Sequence, residues 1–577
     1  MKVTAALAGR VYPAAAWRLL LVASLLALPH ARGQEAQDSA CASCHEQGEK
    51  VAKSAHARVA CADCHPKHEE YPHPANIPKA PCASCHAEIS RNFASSVHGE
   101  EMRKGNQAAP ECSVCHGGAH EAARARTAEF RRSSLDTCGM CHTDELEHFN
   151  KSVHGAAAQR GMLQAPVCSN CHGAHTIQRP GIPASSVHAA HIRETCGECH
   201  GDLRLASRFG LPPDRLATFD DSFHGLASRS GSQRVANCAS CHGYHDILPS
   251  TDRNSQIHPT NLGRTCGKCH PGAGSRFAIT TIHLSEGETE PQPVHLARLF
   301  YLAVIPLTIG LMLLHHGGDW VRKFARLRMK PARGFTAAVP AAADGEVRMF
   351  PLERIQHFLL LTSFFLLVWT GFALKYPDQI WARPLLAWEE YFPVRGWLHR
   401  IAGAVMIGAG VLHVITLIVN RNLRRRWVML FPRASDVREG TLKLLYNLGL
   451  RNENPAVSAH SYIEKAEYWA VVWGTAVMAA TGIMLWSINF MLVRVPKVWL
   501  DFATTVHFYE AVLATLSILV WHLYVVIFDP DVYPMDMAWL TGKSPRRREA
   551  AHHDVSPERE VAQAASEQKT SEITHDS

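Results

Sequence analysis

This chain of 577 residues is poor in charge, and its cysteines leave nothing over. Asp, Glu, Lys and Arg make up only 19% of it, and the formal net charge of +7 says little about nucleic acid. None of the 18 cysteines lies beyond residue 269, and none stands outside a CxxCH motif. A disulfide framework or a set of zinc knuckles would not require a histidine after every second cysteine. Between residues 41 and 290 there is also little apolar periodicity, which excludes an ordinary hydrophobic core over that stretch. The chain is rich instead in histidine, with 36 of them.

There are nine CxxCH motifs. In order they are Cys41, Cys44 and His45; Cys61, Cys64 and His65; Cys82, Cys85 and His86; Cys112, Cys115 and His116; Cys138, Cys141 and His142; Cys168, Cys171 and His172; Cys196, Cys199 and His200; Cys238, Cys241 and His242; and Cys266, Cys269 and His270. Two thiols at this spacing can each form a thioether with a haem vinyl group, and the adjacent histidine then lies under the iron as its proximal ligand. Nine covalently bound c haems are expected. The haems themselves would supply the core, carried on short helices joined by long loops, with almost no sheet.

Each iron has a second axial position. A second histidine there gives a six-coordinate iron suited to electron transfer. After the odd-numbered motifs comes Ser/Thr-x-His, giving His56, His98, His154, His224 and His283, at gaps of 11, 12, 12, 24 and 13 residues from the proximal histidine. After the even-numbered motifs a histidine follows within three or four residues: His68, His120, His175 and His245. A histidine that close cannot reach the opposite face of its own flat macrocycle, so it is expected to cap a neighbouring haem. The repeat reads as one lead haem followed by four di-haem modules. His188 and His258, each eight residues before a CGxCH, are rival ligands.

Residues 1–33 read as a signal peptide, with Lys2, Arg10 and Arg18 before the apolar run 19–28 and Ala31-Arg32-Gly33 as a cleavage zone. Five apolar stretches follow the haem region, at about 297–316, 355–375, 397–420, 467–488 and 506–528. Clusters of Lys and Arg follow the first, third and fifth, whereas the loops near 376–396 and 489–505 are sparse in both. The positive-inside rule then puts the start of the first span outside the cytoplasm, where an exported haem domain must connect.

His399 and His413 lie 14 residues apart in the third span, and His507 and His522 lie 15 apart in the fifth. At 3.6 residues per turn these intervals return to within roughly 40° and 60° of the same face, about 21–22 Å along the axis. That suits two b haems stacked across a bilayer. His399 can meet His507 at the outer level; the partner of His522 at the inner level is His357 or His413. His315 and His316 read as interfacial. Glu467, Glu510 and Asp529 are candidate proton acceptors. The stretch 437–450 reads as an amphipathic helix, either on the membrane surface or packed under the bundle.

The segments RIQHFLLLTSFFLLVWTGFALKYP (354–377), LHRIAG (398–403) and VHFYEAVLATLSILVWHLYVVIF (506–528) resemble the cytochrome b subunits of formate dehydrogenase, Ni-Fe hydrogenase and thiosulfate reductase. The resemblance implies a four-helix di-haem core in which His357 pairs with His522 and His399 with His507. His413 departs from that pattern, and the first span is an added helix. The whole chain resembles the fused inner-membrane b/c multihaem cytochromes of metal-reducing bacteria (the Cbc type), in which a nine-haem c domain precedes a di-haem b domain.

The expected fold class is therefore mostly α: a loop-rich multihaem cytochrome c domain over 34–292, an α-helical transmembrane cytochrome b domain over 293–545, and a disordered cytoplasmic tail over 546–577. The resemblance implies a quinol:cytochrome c-type oxidoreductase of the bacterial inner membrane. It would have menaquinol as substrate, the quinone pool, the lipid bilayer and periplasmic multihaem c-type cytochromes as partners, no nucleic acid, and no catalytic side chains. The alternatives are a membrane-anchored relay subunit of a separate dehydrogenase, or a terminal reductase of a small oxyanion or nitrogen compound.

Overall fold

A computed structural model describes residues 41–65, 81–212, 214–274, 283, 290–329, 346–390, 392–455 and 461–544. The signal segment, His68 and the tail beyond 545 lie outside the described residues. The fold is mostly helical. Among the described residues the only strands are Glu346–Val347 and Lys543–Ser544, which pair antiparallel.

Five helices are long and apolar enough to cross a membrane: Gln292–Arg328, Pro351–Lys375, Val394–Val419, Tyr462–Trp486 and Lys497–Phe528. They cover the five apolar stretches read from the sequence. Their outer faces carry exposed Leu307, Leu313, Ile418 and Val419, which suit hydrocarbon rather than water. Their contacts with each other use small side chains and internally satisfied hydroxyls. Ser363 and Thr370 are buried on the second span and bond back to Leu359 and Leu366 of their own helix. The first span packs on the fifth through Ala297, Tyr301 and Val506.

The helix expected near 437–450 runs Ala434–Asn447 and is not a surface float. Its Asp436 is buried against Lys465 of the fourth span at 2.6 Å, and its Asn447 side chain donates to the His315 carbonyl at 2.9 Å. It is the helix packed under the bundle, held there by polar contacts.

The chain forms two compact units that do not follow the boundary in composition. One runs to His188 and includes Tyr244–Ile247; the other holds Ala189–Gly243 and everything from Leu248 onward. In the second unit the last three CxxCH motifs share a body with the five spans. Polar pairs join them, including Lys375–Asp221 at 3.0 Å and Gln233–Glu390 at 2.8 Å.

In the CxxCH region the repeated Ser-x-His-Gly frame has a local physical cause. Ser96, Ser152 and Ser222 each cap a short helix: Val97–Arg103, Val153–Gln159 and Phe223–Arg229. Each hydroxyl donates to a carbonyl three residues back (Phe93, Phe149, Phe219) and accepts from the glycine amide three residues on. A Cβ on Gly99, Gly155 or Gly225 would run into that same phenylalanine carbonyl oxygen. The frame therefore fixes where the histidine leaves the helix.

Candidate metal centres

Each CxxCH sits on or beside one turn of helix, as in Cys112–His116, Cys168–His172 and Cys238–His242. These three turns end in Gly117, Gly173 and Gly243, with φ of 82°, 77° and 78°. Only glycine adopts this backbone readily, and it throws the chain away from the proximal histidine. The histidine three or four residues on is thereby carried to another motif.

The imidazoles meet in facing pairs. In the first unit the ring centroids are 6.2 Å apart for His56 and His86, 6.0 Å for His65 and His120, and 6.3 Å for His98 and His142. They are 5.9 Å apart for His116 and His175 and 6.0 Å for His172 and His245. In the second unit His224 faces His270 at 6.1 Å and His242 faces His283 at 6.3 Å. Two imidazoles bound on opposite sides of one metal ion, with nitrogens about 2 Å from it, have ring centres about 6 Å apart. The spacing thus fits an iron in every one of these gaps.

The pairing crosses the repeats. His56 and His98 each face the histidine two motifs further along, and His224 does the same from the seventh to the ninth. His120, His175 and His245 face the histidine two motifs back. Backbone bonds hold this interleaving: Val97 N–H donates to the Ile177 carbonyl at 2.8 Å, and Val153 N–H to that of Ile247 at 2.9 Å. His154 occupies the same place in its helix as His98 and His224 do in theirs. His45 lies just after the first motif's helical turn, and His200 ends the helix Ile192–His200. Of the rival ligands, His188 is buried, and His258 engages its Nδ1 with Thr260 at 2.7 Å.

The thiols of successive motifs are neighbours too. Cys112 meets Cys82, Cys168 meets Cys138, and Cys238 meets Cys196. Cys115 lies beside Cys138 and Cys141, and Cys241 beside Cys266. From the second motif to the sixth in the first unit, and from the seventh to the ninth in the second, successive motifs are neighbours rather than separate pairs.

The two cysteines of a motif differ in setting. The second is the more open one: Cys44, Cys85, Cys115, Cys141, Cys199 and Cys269 are exposed, and Cys64, Cys171 and Cys241 are half-buried. Among the first cysteines only Cys82 and Cys112 are exposed. Cys85 lies near Cys64, Cys171 near Cys168, and Cys269 near Cys241. Cys44 Sγ stands 3.8 Å from the Ser43 hydroxyl, and Cys199 lies in the helix Ile192–His200 one residue before His200. The structure therefore puts none of Cys44, Cys85, Cys171, Cys199 and Cys269 in a buried protein core. It shows their motif turns, and their thioether bonds belong to the function proposed below. Among the described residues no group of three or more His, Cys, Asp or Glu is placed to hold a metal ion.

Burial favours the neutral form of several of these imidazoles, the state in which they bind metal. It pushes His98, His116, His172, His200, His224 and His242 below the ordinary histidine range. His283 is pushed down to about 4 by burial, with the Arg215 guanidinium acting in the same direction. His56 and His283 have Nδ1 at hydrogen-bonding distance from the Ala119 carbonyl (3.1 Å) and the Thr218 hydroxyl (3.1 Å). That fixes ring orientation and leaves Nε2 for the gap.

The spans hold two more pairs. His399 faces His507 at 6.3 Å, and His357 faces His522 at 6.4 Å. His413 is placed elsewhere: its Nδ1 engages Gln356 at 3.2 Å and its Nε2 engages Tyr468 at 2.8 Å. Both ring nitrogens are therefore committed. Around His522 the fifth span widens to i→i+5 bonding over Ile518–His522 and Tyr524–Phe528. Such wide turns advance fewer degrees per residue, which draws back the excess rotation expected between His507 and His522.

Residues 348–534 match the family model of prokaryotic cytochrome b561. This part of the chain is a cytochrome b membrane domain. The match covers about a third of the chain and begins after the first span. No curated protein and no solved structure matches the chain. The cytochrome b domain contains both facing pairs of the bundle, and a domain of this kind carries haem b and moves electrons within the membrane.

Several residues of the site were not singled out from the sequence. Thr370 bonds His399 Nδ1 at 2.8 Å, and Thr481 bonds His507 Nδ1 at 2.9 Å. Each threonine is followed by a glycine, Gly371 or Gly482, against which the same ring lies. The repeated Thr-Gly in the second and fourth spans was the available signal. His315 and His316, read as interfacial, are buried. His315 bonds the Tyr462 hydroxyl at 2.6 Å, and His316 packs on Trp521 and Tyr524. Among the candidate proton acceptors, Glu510 accepts from the Tyr301 hydroxyl at 2.8 Å, Asp529 pairs with Lys323, and Glu467 stands 3.5 Å from His522.

Proposed function

We propose that this protein takes electrons from menaquinol in the bacterial inner membrane. It passes them through two b haems and a file of nine c haems to periplasmic multihaem c-type cytochromes. In this reading His357 with His522 and His399 with His507 hold the b haems. Both cysteines of every CxxCH fasten a c haem, the exposed Cys44, Cys85, Cys199 and Cys269 and the half-buried Cys171 included, and the paired histidines supply both axial ligands. The haem region faces the periplasm, as the distribution of basic loops suggests.

The observation that carries the reading is the facing of imidazoles about 6 Å apart both in the cytochrome b domain and along the CxxCH motifs. Haem supplies one-electron chemistry when bound. The chain's own part is to orient the rings, at His56, His283, His399 and His507 through a partner at Nδ1. With two histidines facing at seven of the nine CxxCH motifs and at both sites of the bundle, the arrangement supports relay rather than small-molecule reduction.

The test compares wild type with His399→Ala and His522→Ala in isolated membranes, with a menaquinol analogue as donor under anaerobic conditions. Quinol should reduce the c haems in wild type and fail to do so in either variant, while dithionite reduces them in all three. Reduction of c haems by quinol at the wild-type rate in both variants would overturn the reading.

A further inference from the structure

The ninth motif reaches the membrane-spanning half directly. His270 Nδ1 stands 3.2 Å from Oδ1 of Asn489. Asn489 belongs to the short helix Ile488–Arg494, just past the fourth span. On the next turn of the same helix, Val493 lies against Gly272, where φ is +93° and an added Cβ would strike the valine side chain. The opposite ligand of the pair, His224, leaves the helix Phe223–Arg229. Arg229 of that helix ion-pairs with Asp378, just past the second span, and Asp221 before it pairs with Lys375 at 3.0 Å. Lys497, which opens the fifth span, lies near enough to His224 and Cys266 to act on both electrostatically. The His224–His270 pair is thus gripped from both sides by loops that end the spans.

We propose that the ninth motif is where electrons cross between the membrane bundle and the haem region, and that Asn489 is the positioning residue that sets the potential of the haem held there. The proposal rests on the haem reading above and goes beyond it in naming the junction and its tuner. An electron crossing there oxidises an iron of the bundle and reduces the iron held by His224 and His270. No bond is made or broken and no proton moves.

The chemistry assigns Asn489 a direction. An imidazole that binds iron through Nε2 carries its proton on Nδ1 and donates it to the amide oxygen. An acceptor there makes the ring a stronger donor to iron and favours the ferric state. Removing the acceptor should raise the potential of that one haem, and strengthening it should lower it.

The test uses the full-length holoprotein with Asn489→Leu and Asn489→Asp, both titrated spectropotentiometrically at the c-haem α-band. One one-electron component should move to higher potential in Asn489→Leu and to lower potential in Asn489→Asp, with the others unmoved. After rapid photoreduction of the b haems, the b-to-c phase should change in rate in both variants. Opposite shifts of a single component are what a merely structural contact would not give. No shift, a shift of the same sign in both variants, or an unchanged b-to-c rate would overturn the proposal. Haem content by mass separates this from failure of the haem reading itself: a ninth motif without haem would appear as a missing haem in wild type.

Discussion

His399 and His507 face one another across 6.3 Å from two different spans, and each is held from behind by a threonine on a third and a fourth. The Thr481 hydroxyl donates to the Val477 carbonyl at 2.7 Å, so it can only accept from His507 Nδ1. His507→Ala should purify with one b haem in place of two and with its c haems intact, measured by pyridine haemochrome. Thr481→Val should keep both b haems and raise the potential of one, because the lost acceptor weakens the ring as a donor.

His357 rather than His413 faces His522, and His413 has both nitrogens engaged by Gln356 and Tyr468. His413→Leu should therefore retain two b haems, whereas His357→Leu should lose one. The same haemochrome assay decides between them, and the reverse result would exchange the two histidines.

The interleaving of the repeats gives a sharper test. His175 faces His116 of the fourth motif, not the nearby His172. Replacing His175 by Met should raise the potential of one c haem and add a histidine–methionine absorption signature. In a background carrying both Cys112→Ser and Cys115→Ser, which removes that haem, the same substitution should have no spectroscopic effect, because coupled residues lose their separate effects when the shared group is gone.

Much of this was legible beforehand. The motif count, the Ser-x-His and short-gap histidines and the five spans could be read from residue type and spacing, because covalent attachment and bilayer thickness impose strict patterns. Which histidine faces which along the CxxCH motifs could not. Partners such as His120 and His65 lie 55 residues apart, and the turn that brings them together depends on where Ala122 and Ile177 find backbone donors. The burial of His315 and His316 was hidden for a related reason. Position at the end of an apolar run does not tell that the helix Ala434–Asn447 and Tyr462 cover them. The choice between His357 and His413 turned on Tyr468, a hydroxyl on a neighbouring span that no spacing rule points to.

The helix Ala434–Asn447 is tied to the fourth span by a buried ion pair. Lys465 and Asp436 meet at 2.6 Å, and Asp436 also accepts from its own helix's Arg433 amide at 2.6 Å. Breaking one member of such a pair strands the other charge, at a cost of about 3–5 kcal/mol. Lys465→Met should lower the midpoint of thermal unfolding, and adding Asp436→Leu should recover most of the loss. A double variant as unstable as the single one would show that packing, not charge, holds the helix.

Electrons should travel from quinol through the cytochrome b domain to the CxxCH haems of the same chain. Stopped-flow mixing of the oxidised, purified protein with a menaquinol analogue under anaerobic conditions tests this most directly. The predicted result is that the b α-band reduces first and the c α-band follows. If neither band responds to quinol while both respond to dithionite, or if the c haems reduce before the b haems, the account is contradicted.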